Sequence, residues 1–184
     1  MNASETTDEE VARMVQKGNS QSFGVLMERY QAKLLRYATK FLSDTEDRKD
    51  LVQEVFTKAY INIQSFDIHR KFSSWIYRIA HNEFVNALKK KGSFLVLPID
   101  LDILTPHLIS SETADKDIHT KDTKKMLDQF LGSLDPKYRE PLVLHYFEDM
   151  SYKEIADVLH IPTSTVGIRI RRGKLSLKKM MPHG

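Results

Sequence analysis

Cysteine is absent from the chain, which excludes disulfides and thiolate metal sites and fits a reducing compartment. The seven histidines are scattered, with no pair at a ligand spacing such as i, i+4, and there is no glycine-rich phosphate loop. Neither a metal nor a cofactor is therefore expected. No segment approaches the roughly 20 apolar residues of a membrane-spanning helix, so no membrane insertion is expected. The opening residues Asn2 to Glu10 are polar and acidic, unlike the basic and then apolar start of a secretory signal peptide. A cytoplasmic location is expected. Glycine and proline are scarce across residues 1–90, which leaves few natural breaks in regular structure there. Internal repeats and coiled-coil heptads are also lacking.

Charge is unevenly placed. The net charge of +3 is too small to announce a nucleic-acid partner. From Ile68 to Lys91, however, Arg70, Lys71, Arg78, Lys89, Lys90 and Lys91 stand against one acid, Glu83, and no acid occurs from Pro162 to the end. Two basic stretches flanking an acidic middle suit a bipartite contact with a polyanion, or else two solvated helix faces.

Outside residues 92–122, apolar periodicity is helical. Phe23, Leu26, Tyr30, Leu34, Tyr37 and Phe41 step by three or four, as one buried helix face requires. Ser43 and Glu46 form a capping-box pattern opening a second helix, with Val52, Phe56, Ala59, Tyr60 and Ile63 inward and Asp50, Gln53, Glu54 and Lys58 towards the other side. After a break at 65–69, a third run turns Phe72, Ile76, Ala80, Phe84 and Leu88 inward. Residues 1–8 read as a disordered tail and 9–91 as a helical domain. Residues 92–122 lose the period, contain Pro98 and Pro106 and are rich in acids, so they read as a flexible linker. An apolar patch from Phe94 to Leu104 suggests that this linker docks on something. Residues 123–184 read as a second helical domain: Met126, Leu127, Phe130 and Leu131, then Pro141 to Phe147, then two short helices. The fold class is all-α, two small helical domains joined by a linker.

The sharpest pattern runs from Ser151 to Val166. Ser151 and Glu154 form a capping box, Ile155, Ala156 and Leu159 give a small apolar face, and His160-Ile161-Pro162 ends the helix. Ala156 permits a close crossing by the next helix, which turns Val166, Ile170 and Leu177 inward and leaves Ser164, Thr165, Gly167, Ile168, Arg171 and Arg172 outward. That is a helix-turn-helix, whose second helix can enter the major groove while basic residues hold phosphates.

Leu134 to Leu144, Ser151 to Ala156 and Ile161 to Val166 together resemble region 4 of the extracytoplasmic-function sigma factors of the sigma-70 family. Asp50-Leu-Val-Gln-Glu-Val-Phe56 resembles their region 2.2, and Phe72 to Asn82 resembles regions 2.3 and 2.4. The order and gap agree, and the resemblance covers nearly the whole chain apart from the tail and linker. It implies a non-enzymatic alternative sigma factor that joins core RNA polymerase, directs it to promoters and assists opening. The linker would follow the polymerase RNA path.

By that resemblance Asp50, Gln53 and Glu54 bind the clamp helices of the largest polymerase subunit, and the C-terminal domain meets the flap of the second subunit. Phe66, His69, Arg70, Lys71, Arg78, Asn82 and Lys89 contact single-stranded −10 DNA, because a melted strand needs a pocket for a flipped base and cations along its backbone. Asn82 would read a base edge, with Arg78 and Lys89 on phosphates. Phe72 and Trp75 invite stacking, although their spacing is that of core residues. Ser164, Thr165, Gly167, Ile168, Arg171 and Arg172 meet duplex −35 DNA. Gly167 and Ile168 depart from the family pattern, where a basic residue and a small hydroxyl are common, so weaker or shape-driven −35 readout is expected, with Arg171 foremost. An anti-sigma factor clamping both domains, and nucleoid association when active, are also implied.

Three other readings remain. A helix-turn-helix regulator could bind duplex DNA without joining polymerase, and would not need the Asp50 to Phe56 surface. A protein-interaction module could offer the basic faces to an acidic partner. Arg139 and His145 have the loose spacing of some helical ribonucleases.

Overall fold

Thr7 opens the first helix. Its hydroxyl accepts from the Glu10 amide at 3.2 Å, and Glu10 Oε2 accepts from the Thr7 amide at 2.9 Å, so two end-of-helix donors are satisfied reciprocally. The structure, a computed structural model, describes residues 6–39, 41–42, 44–90, 130 and 133–180. Helix α1 (Asp8–Gln16) buries Val11, Ala12 and Val15, and Gly18, at φ +99°, makes the turn that follows in a conformation L side chains rarely adopt. Thr7 and Asp8 thus belong to the folded unit rather than to a tail at 1–8. Asp8 is held by Arg29 at 2.6 Å and by the Tyr30 hydroxyl at 2.6 Å.

Helix α2 (Phe23–Ala38) buries Phe23, Leu26, Tyr30, Leu34 and Tyr37 as the periodicity predicts, with Phe41 half-buried beyond its end. Helix α3 (Thr45–Ile61) is capped by Asp44 rather than Ser43: Asp44 Oδ1 accepts from the Glu46 and Asp47 amides at 2.8 and 3.0 Å. The Asp44 carboxylate at the cap position serves both amides, and Ser43 of the expected Ser43–Glu46 box lies outside the described residues. Val52, Val55, Phe56 and Ala59 are buried, with Ile63 in the following 3₁₀ turn (Ile63–Ser65). Tyr60 departs from the expected inward set at 45% exposed. It lies one step round the helix from the line through Val52, Phe56 and Ala59, and its ring leans on the edge of Phe23 at 5.2 Å.

Helix α4 (Phe72–Lys90) buries Phe72, Ile76, Ala80 and Phe84, together with Tyr77, while Leu88 is half-buried. Helices α2, α3 and α4 pack around an aromatic centre in which Tyr37 meets Tyr77 at 5.1 Å and Phe84 at 5.5 Å. Each such side chain contributes about 1.5–3 kcal/mol on burial.

The second half is built the same way. Asp135 caps α5 (Pro136–Tyr146) through its carboxylate on the Lys137 amide at 3.0 Å, and Pro136 occupies the first turn, where its missing N–H costs nothing. Helix α6 (Tyr152–Leu159) carries the predicted Ser151–Glu154 capping box and ends at His160, which takes the left-handed conformation at φ 54°. Helix α7 (Thr163–Met180) is 18 residues long rather than short. Val166, Ile170 and Leu177 face inward as expected. Gly173 lets α7 approach α5: a Cβ there would stand 2.6 Å from Leu142 Cδ1.

The chain divides into two units, Met1–Leu95 and Val96–Gly184. The expected linker at 92–122 and the run at Met126, Leu127 and Leu131 lie outside the described residues. No strand occurs among the described residues.

Candidate nucleic-acid interface

On α3, Asp50, Gln53 and Glu54 are all exposed on the side away from the core. Asp50 and Glu54, but not Gln53, border a depression of about 240 Å³ between α3 and α4, lined by Asp47, Asp50, Glu54, Glu83, Asn86 and Lys90 among others. Lys58 pairs with two of the lining carboxylates, Glu83 at 2.5 Å and Glu54 at 3.3 Å. The hydrogen bond to Glu83 pushes the Lys58 ammonium above its usual range. Asp47 and Asn86 were not among the expected site residues. The signal for Asp47 is its position one turn before Asp50 on the same helix.

Between α3 and α4 the chain turns through a segment whose His69, Arg70 and Lys71 are exposed. Asp67 Oδ1 accepts from the His69 amide at 3.0 Å, a local turn typical of aspartate. Phe66, expected from its place in the loop to contact the −10 strand, is instead 4% exposed and not open to a base. Its ring packs against Phe72 at 5.4 Å and Trp75 at 5.3 Å, because the loop's large apolar side chain gains more from leaving water than from facing it. Trp75 is half-buried in that cluster, and Phe72 is core. Along α4, Arg78, Asn82 and Lys89 share a side, Arg78 partly buried and the other two exposed.

On α7, Ser164 and Arg171 are exposed, and Gly167 and Arg172 are partly so. Thr165 and Ile168 are corrections: expected outward, they are 0% and 7% exposed. Helix α7 packs on both α5 and α6, and its buried residues go beyond the Val166–Ile170–Leu177 line to include Thr165, Ile168, Arg169 and Gly173. Tyr152, at the start of α6, is the residue missed here. It is 36% exposed, and its ring lies 3.6 Å from where a Gly167 Cβ would be. A Cβ there would make only ordinary contact with that ring, so the tyrosine stands beside the glycine without filling the place of its side chain. Of the pair at loose ribonuclease spacing, Arg139 donates to the Leu134 carbonyl at 2.7 Å, and His145 Nδ1 lies 2.9 Å from the Met150 carbonyl oxygen. Both bind backbone of their own turns, and burial pulls the Arg139 guanidinium below its usual range.

Residues 26–94 match Sigma-70 region 2, and residues 124–177 match Sigma-70, region 4. The chain is 33% identical to the ECF RNA polymerase sigma factor SigW of Bacillus subtilis (strain 168), over 92% of this chain and 94% of that one. Its fold is similar to that of CnrH, solved in complex with the cytosolic domain of CnrY, with TM-score 0.66, 25% identity and 97% of each chain covered. It is also similar to the sigma factor RpoE of Bartonella quintana, solved in complex with the anti-sigma factor NepR, with TM-score 0.61, 21% identity, and 86% of this chain and 96% of that one covered. With an exposed acidic row on α3, an exposed basic loop before α4 and a helix-turn-helix at α6–α7, the chain belongs to the ECF RNA polymerase sigma factors.

Proposed function

We propose that the two units divide promoter recognition between them once the chain has joined core polymerase. The supporting observation is that three chemically distinct surfaces are exposed. These are the carboxylate and amide row Asp50, Gln53 and Glu54, the cations at and after the α3–α4 loop, and the polar and basic side of α7. The first suits a basic, hydrogen-bonding partner, here the clamp helices of the largest polymerase subunit. The second suits a separated −10 strand: His69, Arg70 and Lys71 surround the base to be captured, Asn82 reads an edge, and Arg78 and Lys89 hold phosphates. The third meets duplex −35 DNA through Ser164, Gly167, Arg171 and Arg172, with Tyr152 as an added aromatic contact. Thr165 and Phe66 support these surfaces from beneath, and the C-terminal unit would also rest on the flap of the second subunit.

Phosphodiester chemistry belongs to the polymerase, and the chain supplies recognition and opening. An anti-sigma factor that covers these surfaces fits the same reading, since both similar folds were solved bound to a second protein. In the cell the protein would be cytoplasmic and nucleoid-associated when active.

Mixing the purified chain with core polymerase and a promoter template tests this reading. The expected result is a stable complex and a start site that core alone does not give, both lost in Asp50→Lys with Glu54→Lys. A chain that shifts duplex promoter DNA but neither binds core nor changes its start sites would instead be a free-standing helix-turn-helix regulator.

A further inference from the structure

The segment joining α3 to α4 is fastened at three points by one helix that contributes nothing to its exposed surface. Gln16, the last residue of α1, donates through its side-chain nitrogen to two carbonyls of the segment, Ile63 and Phe66, each at 2.8 Å. Gln64 returns the contact by donating to the Gln16 carbonyl at 3.1 Å. About two turns further back on α1, Glu9 Oε1 accepts from the Phe72 amide at 2.9 Å, a capping contact on the first amide of α4, where a carboxylate also meets the positive end of the helix. The start, the middle and the exit of the loop are thus all bound to α1. Helix α1 is anchored in turn on α2 through Asp8 with Arg29 and Tyr30.

Three backbone groups that the segment would otherwise leave to water are taken up by the part-buried side chains of Gln16 and Glu9. Both N–H bonds of the Gln16 amide are used, so the curvature of residues 63–66 is set by one planar group. That curvature seats Phe66 against Phe72 and Trp75 and leaves His69, Arg70 and Lys71 on the outside.

We infer that α1 is a brace for base capture, with Gln16 and Glu9 as positioning residues that hold the 63–71 loop in the shape selecting the unpaired −10 base. This rests on the reading of that loop as the strand-capturing element. A brace of this kind acts on selectivity rather than on polymerase binding, because the acidic row of α3 lies outside the bonds it makes.

Holoenzymes carrying the full chain test it. Gln16→Met keeps the length of the side chain and removes both donors. Glu9→Ala removes the cap, and Glu9→Gln keeps an acceptor oxygen as the conservative rescue. Open-complex formation is compared on promoters with and without single substitutions in the −10 strand, where the native chain should discriminate by roughly tenfold or more. Gln16→Met and Glu9→Ala should bring that ratio towards one at the position the loop reads, with core affinity and −35 discrimination within about twofold of native, and Glu9→Gln should restore it. A uniform loss across all promoters, or an unchanged ratio in either folded variant, overturns the brace. If Gln16→Met does not fold, Glu9→Ala and its rescue decide. The combined change His69→Ala, Arg70→Ala and Lys71→Ala separates the two ideas. If it abolishes −10 discrimination while the α1 variants do not, the loop reading stands and the brace fails. If it leaves discrimination intact, the loop reading fails and the brace with it.

Discussion

Gly173 and Leu142 meet where α7 crosses α5, and the contact is too close for a methyl group: beyond the 2.6 Å approach to Leu142 Cδ1, an added Cβ would lie 3.3 Å from Tyr138 Cβ. Leu142 is itself fully buried, so turning its methyl away would displace packed neighbours. Gly173→Ala should therefore destabilise the C-terminal unit by about 1–3 kcal/mol in urea unfolding, despite alanine's better helix propensity. A neutral or stabilising result would mean that the two helices part easily. Arg171 and Ile168 separate binding from folding in the same helix. Arg171→Ala should leave stability within about 0.5 kcal/mol while weakening −35 binding and lowering the salt slope by about one. Ile168→Ala, with its side chain 7% exposed, should cost about 2–5 kcal/mol of stability, and its transcription defect should shrink as temperature is lowered. Equal binding losses at equal stability would contradict that assignment.

At the scale of the element, the first helix depends on a tyrosine below its surface. Burial, and then the hydrogen bond to Asp8, push the Tyr30 phenol far above its ordinary value of 10.0. Because the folded-state value is raised, the stabilisation is fully present below pH 10 and is lost as pH rises beyond it. The unfolding free energy of the native chain should fall steeply above that point. Tyr30→Phe should flatten the fall, at a cost near neutrality of about 1.5–3 kcal/mol for the lost bond to a carboxylate. An identical alkaline slope in the two proteins would remove Tyr30 from the explanation.

Helices with a three-to-four-residue apolar step were legible in the sequence, as were the Ser151–Glu154 box and the stop at His160, because each is a local signal. Three departures at the candidate interface share one cause. Position in a loop or on a helix wheel points Phe66, Thr165 and Ile168 outward. Their burial comes from tertiary packing that local pattern does not encode, as with Phe66 against Phe72 and Trp75. The contacts of Glu9 and Gln16 span 63 and 47–50 residues of sequence, and no local motif announces them.

For the whole molecule, the surfaces of the two units are unequal. The N-terminal unit offers exposed cations around a firmly held loop as well as the acidic row on α3. The recognition helix of the C-terminal unit has a glycine, which offers no side-chain contact, at position 167, and it buries two of the residues expected to face DNA, Thr165 and Ile168. Promoter choice should therefore rest more on the separated −10 strand than on the −35 duplex. The most direct test is transcription by purified core polymerase and this chain on a library randomised across both elements, with every RNA 5′ end sequenced. The account predicts new start sites absent with core alone, with sequence preference concentrated at −10 and weaker at −35. No new start sites, or starts chosen without regard to the −10 sequence, would contradict it.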